Sequence, residues 1–342
     1  MLDDINVIKQ RDPQGALAIA ASSPDQLKHE FTVDFTPTKP VLNVVLTGMG
    51  GSAFPAGFVS TWPKLTVPFL ISRDYVLPDF VGTETLVIVS SFSGNTEETL
   101  SSLEDARKKG TQIVIQANGG KLKAKAAQYN LPFVQIPDCA QPRMASFYFY
   151  KAIVAILGAA GLTDKNIGQQ LTDLSSKMAE TVKTWAANVP EKDNLAKQIA
   201  QHMVGKTPII YSGPLMYPAA VKWKICVNEN AKNTAWCNIV PEMCHNEFIG
   251  WSGLPVEKPF AVFDIVSSFE HERTKLRFEV VDKLLSGKRP KAFRIEAKGD
   301  TQLEQMVYAI MLGEHASVYL AILNNINPTP VDLVEKLKIA LG

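Results

Sequence analysis

The sequence predicts an α/β protein made of two doubly wound parallel sheets. Short β-branched runs bounded by turn residues recur along the chain, and stretches of helical period separate them. This alternation begins twice, the second time after residue 200. A length of 342 residues fits two domains, which divide here as 1–160, with a helical lead-in, and 161–342.

Residues 1–40 read as the helical and irregular lead-in. Val41–Thr47, Val67–Ile71, Thr85–Ser90, Gln112–Gln116 and Leu131–Ile136 then read as buried parallel strands. Pro68 confines the second of these to an edge or a strand start. Between the third and fourth strands, Thr96–Lys108 has helical period: Leu100, Leu103 and Ala106 share a face, Asn95 is placed to cap, and Gly110 closes the helix. Helices follow at 144–157, 166–186 and 192–204. The second alternation has strands at Pro208–Tyr211, Ala235–Val240, Phe260–Ile265 and Ala292–Ile295, and helices near 215–230, 270–286 and 302–324. A short helix follows Pro328-Thr329-Pro330.

Composition narrows the classes of function. Apolar residues make up 46% and charged residues 20%, and net charge is +1, so no overall field favours nucleic acid or an acidic membrane. An anionic ligand needs a local site. Cys139, Cys226, Cys237 and Cys244 form no C-x-x-C pair, so reduced cytosolic thiols are expected. The N-terminus is polar and acidic, unlike a signal peptide, and no run of 18 apolar residues suggests a membrane span.

Two loops are suited to phosphate. The first strand runs into Gly48-Met49-Gly50-Gly51-Ser52-Ala53, where glycines let backbone approach an anion and a helix start is expected behind them. Gly48, Gly50 and Ala53 also fit the dinucleotide fingerprint, with Asp74 in the place of its acidic residue; a plain tight turn is the third reading. After the third strand, Ser91, Ser93 and Thr96 set three hydroxyls beside a helix N-terminus, which suits a phosphomonoester; a polar cap without a ligand is the other reading. Arg143 precedes the next long helix.

The densest polar region is Asn228–Lys232 with Pro241–Glu247. Glu229 lies near a helix C-terminus, where it reads either as a candidate base or as a solvated helix-end carboxylate. His245 fits a structural histidine, a metal ligand or an acid–base group. The other four histidines lack ligand spacing, so no metal is expected, although the neighbouring carboxylates offer oxygen ligands. No nucleophile elbow or Walker loop occurs. A phosphate cradle, a base and a histidine fit proton transfer α to a carbonyl.

The segments TGMGGSA (47–53), SSFSGNTEETL (90–100), QPRMASFYFY (141–150), NENAKNTAWCNIVPEMCHNEFIGW (228–251) and YLAILNNINPTPVDLVEKLK (319–338) resemble the bifunctional phosphoglucose/phosphomannose isomerases, whose chains carry two sugar-isomerase (SIS) domains. The resemblance implies that Gly51 and Ser52 line the substrate and that Ser91, Ser93 and Thr96 bind its phosphate. Arg143 would stabilise the enediolate, Glu229 would move the proton between C2 and C1, and His245 would assist ring opening from across a dimer interface. Thr329 would line the sugar pocket, and Lys338, with Lys336 beside it, would contact ring oxygen or hydroxyls. It also implies a cytoplasmic homodimer with shared active sites and no cofactor. Met144-Ala145-Ser146-Phe147 and Met243-Cys244 depart from the family pattern beside intact motif residues.

Three other classes compete. A non-catalytic sugar-phosphate sensor needs no base, so Glu229 and His245 argue against it. The isomerase part of an amidotransferase would follow a glutaminase nucleophile, but residue 2 is Leu2. An NAD-dependent dehydrogenase would use the Gly48–Ala53 loop.

Overall fold

A computed structural model describes residues 1–164, 166–253 and 259–341. They form two compact units: Ser23–Lys177, and Met1–Ser22 together with Met178–Gly342. The first crossing between units falls within α2 (Ala16–Gln26), which follows α1 (Ile5–Arg11). Residues 1–22, read from sequence as a lead-in to the first domain, thus pack with the C-terminal half.

In the unit Ser23–Lys177, β1 (Asn43–Gly48), β2 (Phe69–Ser72), β3 (Thr85–Ser91), β4 (Gln112–Ala117) and β5 (Phe133–Gln135) form a parallel sheet in the order β2-β1-β3-β4-β5. The Pro68-bordered strand is at an edge, where the missing donor costs no ladder bond. Val45, Val87, Val89, Ile113 and Ile115 pack with Leu103, Ala106, Leu122 and Ala126 on one face. The alternate residues Val44, Leu46, Leu86, Ile88 and Val114 are equally buried. Both faces are therefore covered, which explains the near-continuous apolar runs. Each such buried aliphatic side chain contributes about 1.5–3 kcal/mol.

The connections set the loops. After β1 come only α3 (Gly50–Ala53) and a 3-10 helix, Phe54–Ser60, so the long helix required behind a dinucleotide fingerprint is absent there. After β3 comes α4 (Glu97–Lys108), after β4 comes α5 (Gly120–Tyr129), and a 3-10 turn at Pro142–Met144 leads into α6 (Ser146–Ala159). Gly110 ends α4 with φ of 66°, as the helix-closing role requires. The N-cap of α4 is Thr96, not Asn95; Asn95 turns its side-chain oxygen to the Lys121 N–H at 3.0 Å. α7 (Ile167–Lys183) spans the second crossing between units.

The other unit contains α8 (Leu195–Met203), β6 (Thr207–Ser212), α9 (Tyr217–Ala231), β7 (Trp236–Ile239), the single turns α10 (Val240–Met243) and α11 (Glu247–Gly250), β8 (Phe260–Val266), α12 (Glu272–Leu284), β9 (Phe293–Glu296), α13 (Gln302–Leu323) and α14 (Asp332–Leu341). Its parallel sheet has the order β7-β6-β8-β9. α9 is fixed against α13. Trp223 donates to the Ala309 carbonyl at 2.7 Å, and Lys222 meets Glu314 at 2.8 Å in a buried ion pair. A Cβ at Gly313 would lie 2.1 Å from the Trp223 ring, so only glycine admits this approach. Among the described residues, α13 alone is long and apolar enough to cross a membrane, and 94% of its apolar window is buried inside the protein.

Candidate active site

Within the unit Ser23–Lys177, three segments after strand ends converge. Ser52 accepts the Phe92 N–H at 2.8 Å, and the Ser90 hydroxyl donates to the Ser52 carbonyl at 2.7 Å. Gly51 packs against the backbone of Pro142 and Arg143; a Cβ there would lie 2.6 Å from the Arg143 nitrogen. Gly51, Ser52, the β3–α4 loop and Arg143 are thus neighbours. Arg143 is 1% exposed, which is unusual for arginine and fits a residue held for a site.

The β3–α4 loop is hydroxyl-rich and internally bonded. Ser91 Oγ and Thr96 Oγ1 are 2.8 Å apart. Ser91 Oγ also accepts the Gly94 N–H, and Ser93 Oγ the Asn95 N–H, each at 3.2 Å. Thr96 makes no side-chain cap bond to α4, so its hydroxyl turns to Ser91 instead. A helix of 12 residues starts behind the three hydroxyls, an arrangement able to bind a phosphate dianion. Thr99, in the first turn, has a buried hydroxyl without a hydrogen-bond partner; its spacing from Thr96 on one helix is the signal that sequence reading passed over.

In the other unit, Glu229 is half-buried near the C-terminal end of α9. The cap residue, Lys232, has φ of 50°. Its ammonium donates to the carbonyls of Glu229 and Asn327 at 2.9 Å, Pro328 at 3.2 Å and Asn230 at 3.3 Å. These bonds satisfy helix-end carbonyls and join the Glu229 helix to the loop that carries buried Thr329. Thr329 in turn donates its N–H to Asn327 Oδ1 at 3.1 Å. Lys232 is the residue sequence reading missed; two of its partners, Asn327 and Pro328, lie about 95 positions away, beyond any local pattern.

His245 lies on the exposed turn between α10 and α11 and donates its N–H to the Glu242 carbonyl at 3.0 Å. The carboxylates around it make structural bonds. Asn246 donates to Glu242 at 2.7 Å, and Glu247 accepts from Tyr211 at 2.9 Å and Asn238 at 2.5 Å. No group of three or more metal-ligating side chains occurs among the described residues. Lys338 stands on α14, whose described residues are exposed throughout, and pairs with Glu335 at 2.8 Å rather than with Glu229 or Thr329.

Two doubly wound parallel sheets, the first bearing a serine- and threonine-rich loop after its central strand, define a protein of double-SIS architecture. Residues 192–341 match the bacterial phospho-glucose isomerase C-terminal SIS domain. A bifunctional phosphoglucose/phosphomannose isomerase of Caldicellulosiruptor bescii is 35% identical over 305 residues, covering 86% of this chain and 88% of that one. Its counterpart in Aquifex aeolicus is 32% identical, covering 90% and 92%. The crystal structure of a glucose-6-phosphate isomerase like protein from Thermus thermophilus shares the fold, with a TM-score of 0.66 at 18% identity and coverage of 99% and 98%. The chain belongs to the bifunctional phosphoglucose/phosphomannose isomerase family.

Proposed function

We propose that this protein interconverts glucose 6-phosphate and mannose 6-phosphate with fructose 6-phosphate through an enediol, in carbohydrate metabolism. Ser91, Ser93 and Thr96 hold the phosphate, and Gly51 and Ser52 line the substrate. His245 assists ring opening. Glu229 then removes the C2 proton, electrons move to the C1 oxygen, and Arg143 stabilises the enediolate. The C2 hydroxyl proton passes to the C1 oxygen, and return of the carbon-bound proton at C1 as C2 becomes a carbonyl yields the ketose. Thr329 lines the sugar pocket, and Lys338 contacts the ring oxygen or hydroxyls. The chain works as a cytoplasmic homodimer whose partner supplies His245, needs no metal or organic cofactor, and has no nucleic-acid or membrane partner.

The observation that carries the reading is the Lys232 bridge, which ties the backbone of the Glu229 helix end to the loop that bears Thr329. A sensor needs no base such as Glu229. Glucose 6-phosphate and mannose 6-phosphate differ only at C2, so one base serves both when rotation about C2–C3 is permitted. A coupled assay should detect fructose 6-phosphate from each aldose. Silence on both sinks the isomerase reading; silence on mannose 6-phosphate alone sinks its dual specificity.

A further inference from the structure

The β3–α4 loop is gripped by the turn after the neighbouring strand. β3 and β4 run in register, with Ser91 opposite Ala117, so their following segments emerge side by side. From the β4–α5 turn and the first turn of α5, Asn118 donates its N–H to the Phe92 carbonyl and Leu122 to the Gly94 carbonyl, each at 3.0 Å. Lys121 donates its N–H to Asn95 Oδ1 at 3.0 Å. The turn is itself anchored, because the Asn118 side-chain amide donates to the Ile136 carbonyl and to Asp138, each at 2.9 Å.

The two segments cross at glycines. Gly94 and Gly120 both have φ of 67°. A Cβ on Gly94 would lie 1.8 Å from the Gly119 carbonyl oxygen, and one on Gly120 would lie 2.2 Å from the Ser93 oxygen and 2.8 Å from Asn95 Oδ1. Gly119, one residue away, has open space around its Cβ position. The crowding is therefore specific to the face that meets the loop.

These grips fall on Phe92, Gly94 and Asn95, alternating with Ser91, Ser93 and Thr96. We propose that Asn95 and Gly120 are positioning residues of the phosphate site: the β4–α5 turn holds the loop in its binding shape from behind and leaves its hydroxyl side for the ligand. This rests on the assignment of phosphate to Ser91, Ser93 and Thr96. A loop fixed before binding loses less freedom when the ligand arrives, so loosening it weakens affinity while leaving the proton-transfer groups unchanged.

The test is calorimetric titration of the full-length enzyme with inorganic phosphate, alongside KM and kcat for both aldoses and the thermal midpoint. Gly120→Ala and Asn95→Ala should each weaken inorganic phosphate binding and raise both KM values by about tenfold, the size of one lost bond, with kcat at saturation within about twofold. Gly119→Ala adds the same methyl where there is room and should bind phosphate as the wild type does. Thr96→Val separates the two readings. If it weakens phosphate binding while folded Gly120→Ala and Asn95→Ala do not, the positioning role is wrong and the phosphate assignment stands. If Thr96→Val binds phosphate normally, both fall. An equal loss in Gly119→Ala also overturns the proposal, because the effect would then lack the face specificity. Should Gly120→Ala fail to fold, Asn95→Ala decides, since it removes the acceptor without adding bulk.

Discussion

Glu229 and Lys232 divide one task. The carboxylate performs the proposed proton transfer, and the ammonium three residues on bonds the backbone carbonyl of Glu229. Glu229→Gln should lose on the order of 10²–10⁴ in turnover while retaining phosphate affinity, because the phosphate loop is untouched; near-normal turnover of the folded variant removes Glu229 from the mechanism. Lys232→Met should leave phosphate inhibition unchanged and raise KM for both aldoses by roughly tenfold, the equivalent of one charge-assisted bond of about 1.5 kcal/mol. Unchanged KM values would reduce Lys232 to a helix cap. The motif residues were legible because hydroxyls, glycines and a carboxylate cluster in sequence. Lys232 was hidden, since a lysine after a helix reads as an ordinary dipole partner until Asn327 and Pro328 are folded against it. Asn95 misled for a related reason: it is a good capping residue, but the Lys121 N–H from the next turn claims its side chain.

At the scale of elements, the strands were the most legible, because burial on both faces leaves continuous apolar runs. The helix after β1 was the least. Glycines after a strand suggest a long helix, yet only α3 and a 3-10 segment follow. The packing of α12 on β8 hides a group that no local pattern marks. Asp264 on β8 is 4% exposed, and Arg289, after α12, approaches it only to 3.8 Å, while all three guanidinium nitrogens lack hydrogen bonds. At that distance the ion pair is too long to offset desolvation, and burial raises the Asp264 carboxyl to about 6 from an ordinary 3.8. The folded state therefore holds this proton more tightly than the unfolded chain. The associated stability is complete below about pH 4 and is lost as pH rises through about 6. Asp264→Asn should gain on the wild type by on the order of 3 kcal/mol between pH 4 and pH 7. Denaturant unfolding at the two pH values measures the change, and a constant difference between the proteins would show that Asp264 titrates normally when folded.

At the scale of the whole molecule, the double alternation was visible in sequence, whereas the grouping of residues 1–22 with the C-terminal half was not. That grouping includes long-range bonds that no local pattern marks, such as Arg11 to the Ile322 carbonyl at 2.7 Å and Asp3 to the buried ammonium of Lys197 at 3.0 Å. The larger consequence concerns His245. Its turn is held by bonds among Glu242, Asn246 and Glu247, and its side chain is exposed, which leaves it accessible to the proposed partner chain. If each site takes Glu229 from one chain and His245 from its partner, two inactive proteins can complement each other. In a two-fold dimer that pairs Glu229→Gln with His245→Ala, one site combines both lesions and the other combines both native residues. Unfolding and refolding an equimolar mixture should therefore restore about a quarter of wild-type activity, since about half of the dimers are mixed and each carries one intact site. Refolding each variant alone should restore none. Activity in the mixture no higher than the mean of the two separate variants, with mixed dimers demonstrated by differential tagging, would place His245 in the same chain as the base it serves.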